Sequence, residues 1–333
     1  MYFILGLSIV LATLLVLNNC ASLMTSLFWR VFARRINRSS ASGSAQVLFL
    51  LRTVPAALAI GCVLFLFVPA YLLYEPRVGH EDISLKLAAM ALFSALGIAV
   101  AMARGIASWR ATARLTNDWL RTAEPIQIPN VSIPAYQVEH MFPLIAVVGA
   151  IRPRMFIAKQ IFQSLTPEEL AAAFEHEIGH IMAHDILKRG LVRACHDLLL
   201  IPCGRGLDKA WIEASEAAAD EYASLRDRRI GLDLASALVK IARLIPAGAR
   251  PTMPAGAFLV GDEDGVGFRT RVRRLVQLAN ASDEQRLSFR RGSQLPKLIS
   301  VALMLLVIVL VANENHILTA VHSVIEHAVQ ILN

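Results

Sequence analysis

The chain has 333 residues, of which 56% are hydrophobic and 18% charged, with a formal net charge of +7 and a mean hydropathy of +0.53. Soluble domains carry roughly 45–50% apolar residues, so this composition speaks against a wholly soluble chain and for membrane spans. A basic excess can suit a nucleic-acid binder, but juxtamembrane basic segments and solvated helix faces explain it at less cost; no direct nucleic-acid binding is expected.

Three apolar stretches, 3 to 28, 46 to 74 and 86 to 108, are each long enough to cross a lipid bilayer. Residues 1 to 19 begin "MYF", without a basic side chain, and no A-x-A site follows, so they read as a retained span rather than a signal peptide. The loop after the first stretch carries Arg30, Arg34, Arg35 and Arg38 and no acid. The loop after the second mixes Glu75, Glu81 and Asp82 with Arg77 and Lys86. Lys and Arg accumulate on the cytoplasmic side, which places the first loop, and everything after the third span, in the cytoplasm. Trp29 and Trp109 then fall at the inner interface, and Tyr71 and Tyr74 at the outer one. Arg52, near the start of the second span, reads as a side chain snorkelling to the cytoplasmic interface.

After the third span, "FPLIAVVGAIRPRMFIA" (142 to 158) sets two short apolar runs around "GAIRPR" and predicts a strand pair. Thr166, Pro167 and Glu169 then supply an N-cap, a first-turn proline and a capping-box acid, so a helix starts there and carries "FEHEIGHIMAHD". A second helix is predicted from about 208 to 228, opened by Asp208, and a Gly- and Pro-rich loop follows Ile245. The basic runs "RTRVRRL" (269 to 275) and "RLSFRR" (286 to 291) suit anionic lipid headgroups. A fourth apolar stretch, 298 to 312, is a shorter candidate span. The reading is therefore a mainly α, multi-span membrane protein: 1–108 as three transmembrane helices, 109–297 as a cytoplasmic domain with a small β element, 298–312 as a fourth helix, and 313–333 as a short extracytoplasmic tail. His316, His322 and His327 in that tail read as polar positions of an interfacial helix. Cys20 and Cys62 lie in or beside apolar stretches, whereas Cys195 and Cys203 match no zinc-binding spacing and read as packing residues.

His176 and His180 lie one turn apart on the predicted helix, so both imidazoles can reach one zinc ion. Glu177 falls beside that ion, where a carboxylate can accept a proton from water and pass it to a leaving amine. The third ligand must come from elsewhere. His184 is i+8 from His176, a rise of about 12 Å on a straight helix, too far for all three to meet one ion; it reads as an outer or surface residue. Glu213, Glu216 and Glu221 on the second helix are the remaining candidates. Glu216 is followed at i+4 by Asp220, which can orient a ligand histidine, and Ala217, Ala218 and Ala219 let the two helices approach closely. Glu213 and Glu221 lack such support and read as exposed helix charges.

"HEIGH" followed by "EAAAD" resembles the HExxH plus ExxxD pattern of gluzincin peptidases that are integral membrane proteins. Over about 140 to 230 the chain looks like the antirepressor-type membrane metallopeptidases, the family of the β-lactam-sensing signal transducers. Gly149 to Pro153 matches that family's G-x-x-x-P element, Asp185 its acid five residues after the second histidine, and "FRTRVRRLVQL" is a weaker echo. Three spans before the domain and one after also agree.

The resemblance implies a cytoplasmic gluzincin-like zinc metallopeptidase domain in the inner membrane, with one Zn2+ on His176, His180 and Glu216, Glu177 as general base and Asp220 in support. It implies a zinc metalloendopeptidase acting on a protein or peptide substrate, a transcriptional repressor or a membrane protein, in regulated proteolysis or signalling. No penicillin-binding domain follows the fourth stretch, so direct β-lactam sensing is not expected. The competing resemblance is to HtpX-like quality-control peptidases, which share both motifs but place apolar spans between them. Here that interval holds Lys188, Arg189, Arg193, His196 and Asp197. A non-catalytic signalling or scaffold protein retaining the fold is the alternative of another class. The 142 to 158 segment is a candidate edge strand for an extended substrate, and His196 a candidate oxyanion stabiliser.

Overall fold

In the computed structural model the described residues are 2–36, 40–75, 84–128, 131–199, 204–245, 265–281, 318–324 and 326–327. The apolar stretches form helices α1 (Tyr2–Ile36), α2 (Ala41–Cys62), α3 (Val68–Tyr74) and α4 (Leu85–Thr122). A π-helical turn, Val63–Phe67, joins α2 to α3. Pro69 just beyond it has no N–H for an ordinary helical bond, which accounts for the wide turn. Three units, Tyr2–Arg34, Ala41–Tyr74 and Leu85–Thr122, are long and apolar enough to cross a membrane. The predicted fourth span lies outside the described residues. At about 57 Å, α4 far outruns a hydrocarbon core of about 30 Å. Its far end becomes a stem on which the remaining domain sits: Trp119 packs edge-on against Phe156, ring centroids 4.9 Å apart.

The β element is a four-stranded sheet in the order β1-β2-β4-β3, built from β1 (Glu124–Ile126), β2 (Ala135–Val138), β3 (Ile145–Val148) and β4 (Arg154–Ala158). β3 and β4 are the predicted antiparallel pair. Gly149 opens their turn at φ +102, where a Cβ would stand 2.7 Å from the Arg152 carbonyl oxygen, so no other residue fits without strain. β1 and β2 had no clear sequence signal: Glu124 and Pro125 are exposed, and β1 is three residues long.

Helices α5 (Lys159–Ser164), α6 (Pro167–Met182), α7 (Asp185–Asp197), α8 (Arg205–Ser224), α9 (Arg228–Leu244) and α10 (Gly265–Asn280) complete the domain. Ala172 and Ala173 of α6 and Leu234, Leu238 and Ile241 of α9 close the core against Met155 and Ile157 of the sheet. The second predicted helix stops at Ser224 because Asp227 accepts the Arg229 N–H and caps a new helix, α9. The loop after Ile245 lies outside the described residues.

The predicted capping box at the start of α6 is present. Glu169 also accepts from Ser236 Oγ at 2.6 Å and Lys240 Nζ at 2.8 Å, binding α6 to α9. Burial works against its charge, but these hydrogen bonds and the Thr166 N–H outweigh it and hold its carboxyl below the ordinary value. Glu169→Ala should therefore lower stability by about 1–3 kcal/mol, Lys240 being partly screened by water. Because the folded pKa is depressed, the Glu169 contribution is present above the unfolded carboxylate pKa and fades as pH falls through its folded value. Denaturant titrations of both proteins at neutral and acidic pH should show the gap closing.

The α7–α8 hairpin reaches back among the spans. Asn18 Nδ2 of α1 donates to the Leu198 carbonyl at 3.1 Å, and a small cavity between spans is lined by Leu14, Asn18, Ile60, Ser94 and Leu198. Arg104 of α4 pairs with Asp197. Arg52 is not snorkelled: it is 2% exposed and bonds Asp208 of α8, whose second oxygen faces His196 Nδ1 at 3.1 Å. An acid delivered by a distant segment satisfies it in place, which local sequence could not announce. At the other end of α8, Glu221 accepts the Ala41 N–H at 2.9 Å and the Arg274 guanidinium at 3.1 Å. Glu221 is 2% exposed, so its reading as a surface charge is corrected. Glu213 is exposed as expected.

At the opposite end of the bundle, Leu318 of the tail packs with Leu5, Ile9, Ala70, Tyr71 and Leu87. His322 lies half-buried beside Glu75 and Glu326, His327 is exposed, and His316 falls outside the described residues.

Candidate metal centre

Helix α6 places His176 and His180 on one face, and the close crossing of α8 brings Glu216 to them. Gly179 permits that crossing: a Cβ there would lie 3.1 Å from the Ala219 Cα. Of the three alanines expected at the contact, Ala219 is the buried one, joined by Ala223 one turn on. His176, His180 and Glu216 each offer a ligand atom within 4.8 Å of the others. The two Nε2 atoms are 3.2 Å apart, and Glu216 oxygens lie 3.6 Å from His176 Nε2 and 3.5 Å from His180 Nε2.

Each imidazole has a carboxylate behind it. Asp185 Oδ2 is 2.7 Å from His180 Nδ1, and Asp220 Oδ1 is 2.9 Å from His176 Nδ1, off the line of a good hydrogen bond. Protons on both Nδ1 atoms leave two Nε2 lone pairs facing each other, a repulsive arrangement that a cation between them would relieve. Among the described residues Glu216 Oε2 is buried with no well-aligned hydrogen bond, and such a carboxylate oxygen beside two lone pairs fits a divalent metal such as zinc.

Arg271 of α10 secures the rear. Its Nε and Nη2 each lie 2.9 Å from an oxygen of Asp220, and Nη1 is 3.3 Å from Glu216 Oε2. Burial raises the cost of charging Asp220, but Arg271 and His176 prevail and bring its pKa down to about 2. Glu216 is likewise held well below the ordinary carboxylate range: burial opposes its charge, and His180, His176 and Arg271 outweigh burial. Glu177 differs. Burial pushes its carboxyl up, only partly countered by the neighbouring histidines and Arg189. It is the buried carboxyl of this site poised to take up a proton, as a general base must be.

Every predicted site residue therefore converges here, and His184 does not. The helix through the motif ends at Met182, and His184 stands exposed in a left-handed turn at φ 56. His184 is thus excluded by a break in the helix as well as by distance. His196 sits with Asp208 at the spans and is not assembled with Glu177. Arg271 and Arg274, read from sequence as part of a lipid-facing basic run, instead meet Asp220 and Glu221. Arg269 and Arg273 remain exposed. β3 is the edge strand of the sheet, but its residues are only 1–6% exposed apart from Ala146 at 0%, so it is covered rather than presented as an open template.

Two histidines and a glutamate, each ring backed by a carboxylate, with a second glutamate beside them, define a metallopeptidase-type centre. Residues 110–245 match the family model for peptidase family M48. That segment runs from within α4 through the sheet to the end of α9, taking in both motifs and ending before Arg271. No curated protein matches the chain.

Proposed function

We propose that the chain is a zinc-dependent endopeptidase of the cytoplasmic membrane face, cutting a protein substrate in regulated proteolysis. The observation that carries this is the convergence of His176, His180 and Glu216 around a buried carboxylate oxygen, with Glu177 beside them. Zinc held by those three residues supplies polarisation of the scissile carbonyl and acidification of a water. Glu177 takes the proton as the water oxygen bonds to the carbonyl carbon and the C=O pair moves onto oxygen; it returns that proton to the amine nitrogen as the C–N bond breaks. Asp185 and Asp220 hold the imidazoles with Nε2 forward, and Arg271 holds Asp220.

The antirepressor-type resemblance supports a signalling role, and the exposed Arg30 and Arg34 at the end of α1 support a cytoplasmic side for that end of the bundle. A second reading, membrane-protein quality control of the HtpX-like kind, is favoured by the α7–α8 hairpin. The interval between the motifs does enter the bundle, where Asn18 bonds the Leu198 carbonyl.

Purified full-length protein in detergent, given zinc and an unstructured polypeptide such as casein, should cut internal bonds. A chelator should stop cleavage and added zinc restore it. Cleavage indifferent to chelation would end the zinc reading.

A further inference from the structure

We propose that Arg189 is a catalytic residue that stabilises the scissile carbonyl oxygen as negative charge develops on it. The inference rests on the peptidase reading above. The helix that carries the metal-binding motif is interrupted after Met182. His184, a non-glycine residue, adopts a left-handed conformation that is unfavourable for an L side chain and persists only where its surroundings hold it.

That turn redirects the chain. On a straight helix Asp185 would lie about 140° around the axis from His180, facing away from it. After the turn, Asp185 meets His180 Nδ1, and one helical turn further Arg189 Nη2 bonds Glu216 Oε1 at 2.8 Å. Residues i and i+4 share a helix face, so the single strained turn at His184 delivers both side chains to the site.

Two guanidinium groups thus flank Glu216, and they differ in what they have left to give. Arg271 is 7% exposed and spends its donors on Asp220 and Glu216. Arg189 is 22% exposed. Its Nη2 engages Glu216, while among the described residues nothing takes its Nε or Nη1. It lies close enough to Glu177 to favour that carboxylate's charged form. A partly exposed cation, anchored at one corner with N–H groups to spare, is suited to a carbonyl oxygen turning into an oxyanion; the rigid planar fork costs little to orient. His196, the sequence candidate for this role, is engaged with Asp208.

The test uses full-length protein in detergent and compares wild type with Arg189→Ala and Arg189→Lys. The probe is a phosphonamidate peptide, whose tetrahedral anionic phosphorus mimics the oxyanion, with bound zinc measured in parallel. Arg189→Ala should bind the phosphonamidate on the order of 10²–10³-fold more weakly and lose kcat on casein by a similar factor, with KM little changed. Zinc content at saturating zinc should match wild type, and any fall in zinc affinity against a competing chelator should stay below the loss in phosphonamidate affinity. Arg189→Lys should recover part of the loss, and guanidinium ion should partly rescue Arg189→Ala. Equal phosphonamidate affinity in all three proteins overturns the proposal. So does a fall in zinc affinity that accounts for the whole defect, since Arg189 would then only brace Glu216. Wild type that cleaves no casein would instead count against the peptidase reading.

Discussion

Glu177→Gln should leave zinc binding intact and reduce turnover on the order of 10²–10⁴-fold, the usual contribution of a positioned general base. The substitution is nearly isosteric and removes only the ability to carry the proton from water to amine. Glu177 is buried and its carboxyl is pushed up by that burial, so a neutral amide is tolerated at the site and the fold should be kept. The measurement is single-turnover cleavage together with metal content. In cells the same variant should hold substrates that wild type cuts, so proteins cleaved only by wild type and retained by Glu177→Gln would reveal the natural substrate. A variant that cuts at the wild-type rate would remove Glu177 from the mechanism.

How much of this site sequence could reveal depends on how each residue reaches it. His176, Glu177 and His180 are local, and helical spacing alone puts them on one face. Glu216 and Asp220 were legible as a pair because the i+4 relation repeats the logic of the first helix. Asp185 was legible only as a feature of the resemblance, since its approach to His180 needs the left-handed turn at His184. Arg271 is about fifty residues downstream of Asp220, inside a run that composition reads as lipid-facing, and only the packing of α10 on α8 and α9 turns it inward. Arg52 follows the same rule: a charge within an apolar span has a partner in Asp208 that no local pattern names. In α9 the signal was present, because Leu234, Leu238 and Ile241 repeat at helical spacing and are buried.

The hairpin gives these long-range pairs a common geometry. One end of α7 carries Asp185 and Arg189 to the metal ligands, and its other end carries Asp197 to α4. Helix α8 carries Asp208 to α2 and Glu216 to the histidines. The spans and the metal centre are thus joined by two helices and their charge pairs, so the site's geometry depends on how the bundle packs.

Glu216→Ala should abolish stable zinc retention, and Glu221→Ala should not. Both glutamates are buried on α8 five residues apart, so a general effect of removing a buried acid would appear in both. Their partners differ. Glu216 turns one oxygen to each imidazole, Oε2 to His176 and Oε1 to His180, whereas Glu221 is occupied by the Ala41 N–H and Arg274. Loss of a carboxylate that only orients a ligand histidine typically costs 10–100-fold in metal affinity; loss of a direct ligand should exceed that, with Asp220→Asn falling in the lower range. Glu221→Ala should instead lower stability by about 1–3 kcal/mol, because a buried N–H at the start of α2 loses its acceptor. Metal analysis and thermal melts on the three variants separate these effects. Zinc retained by Glu216→Ala at the wild-type level would strike it from the ligand set.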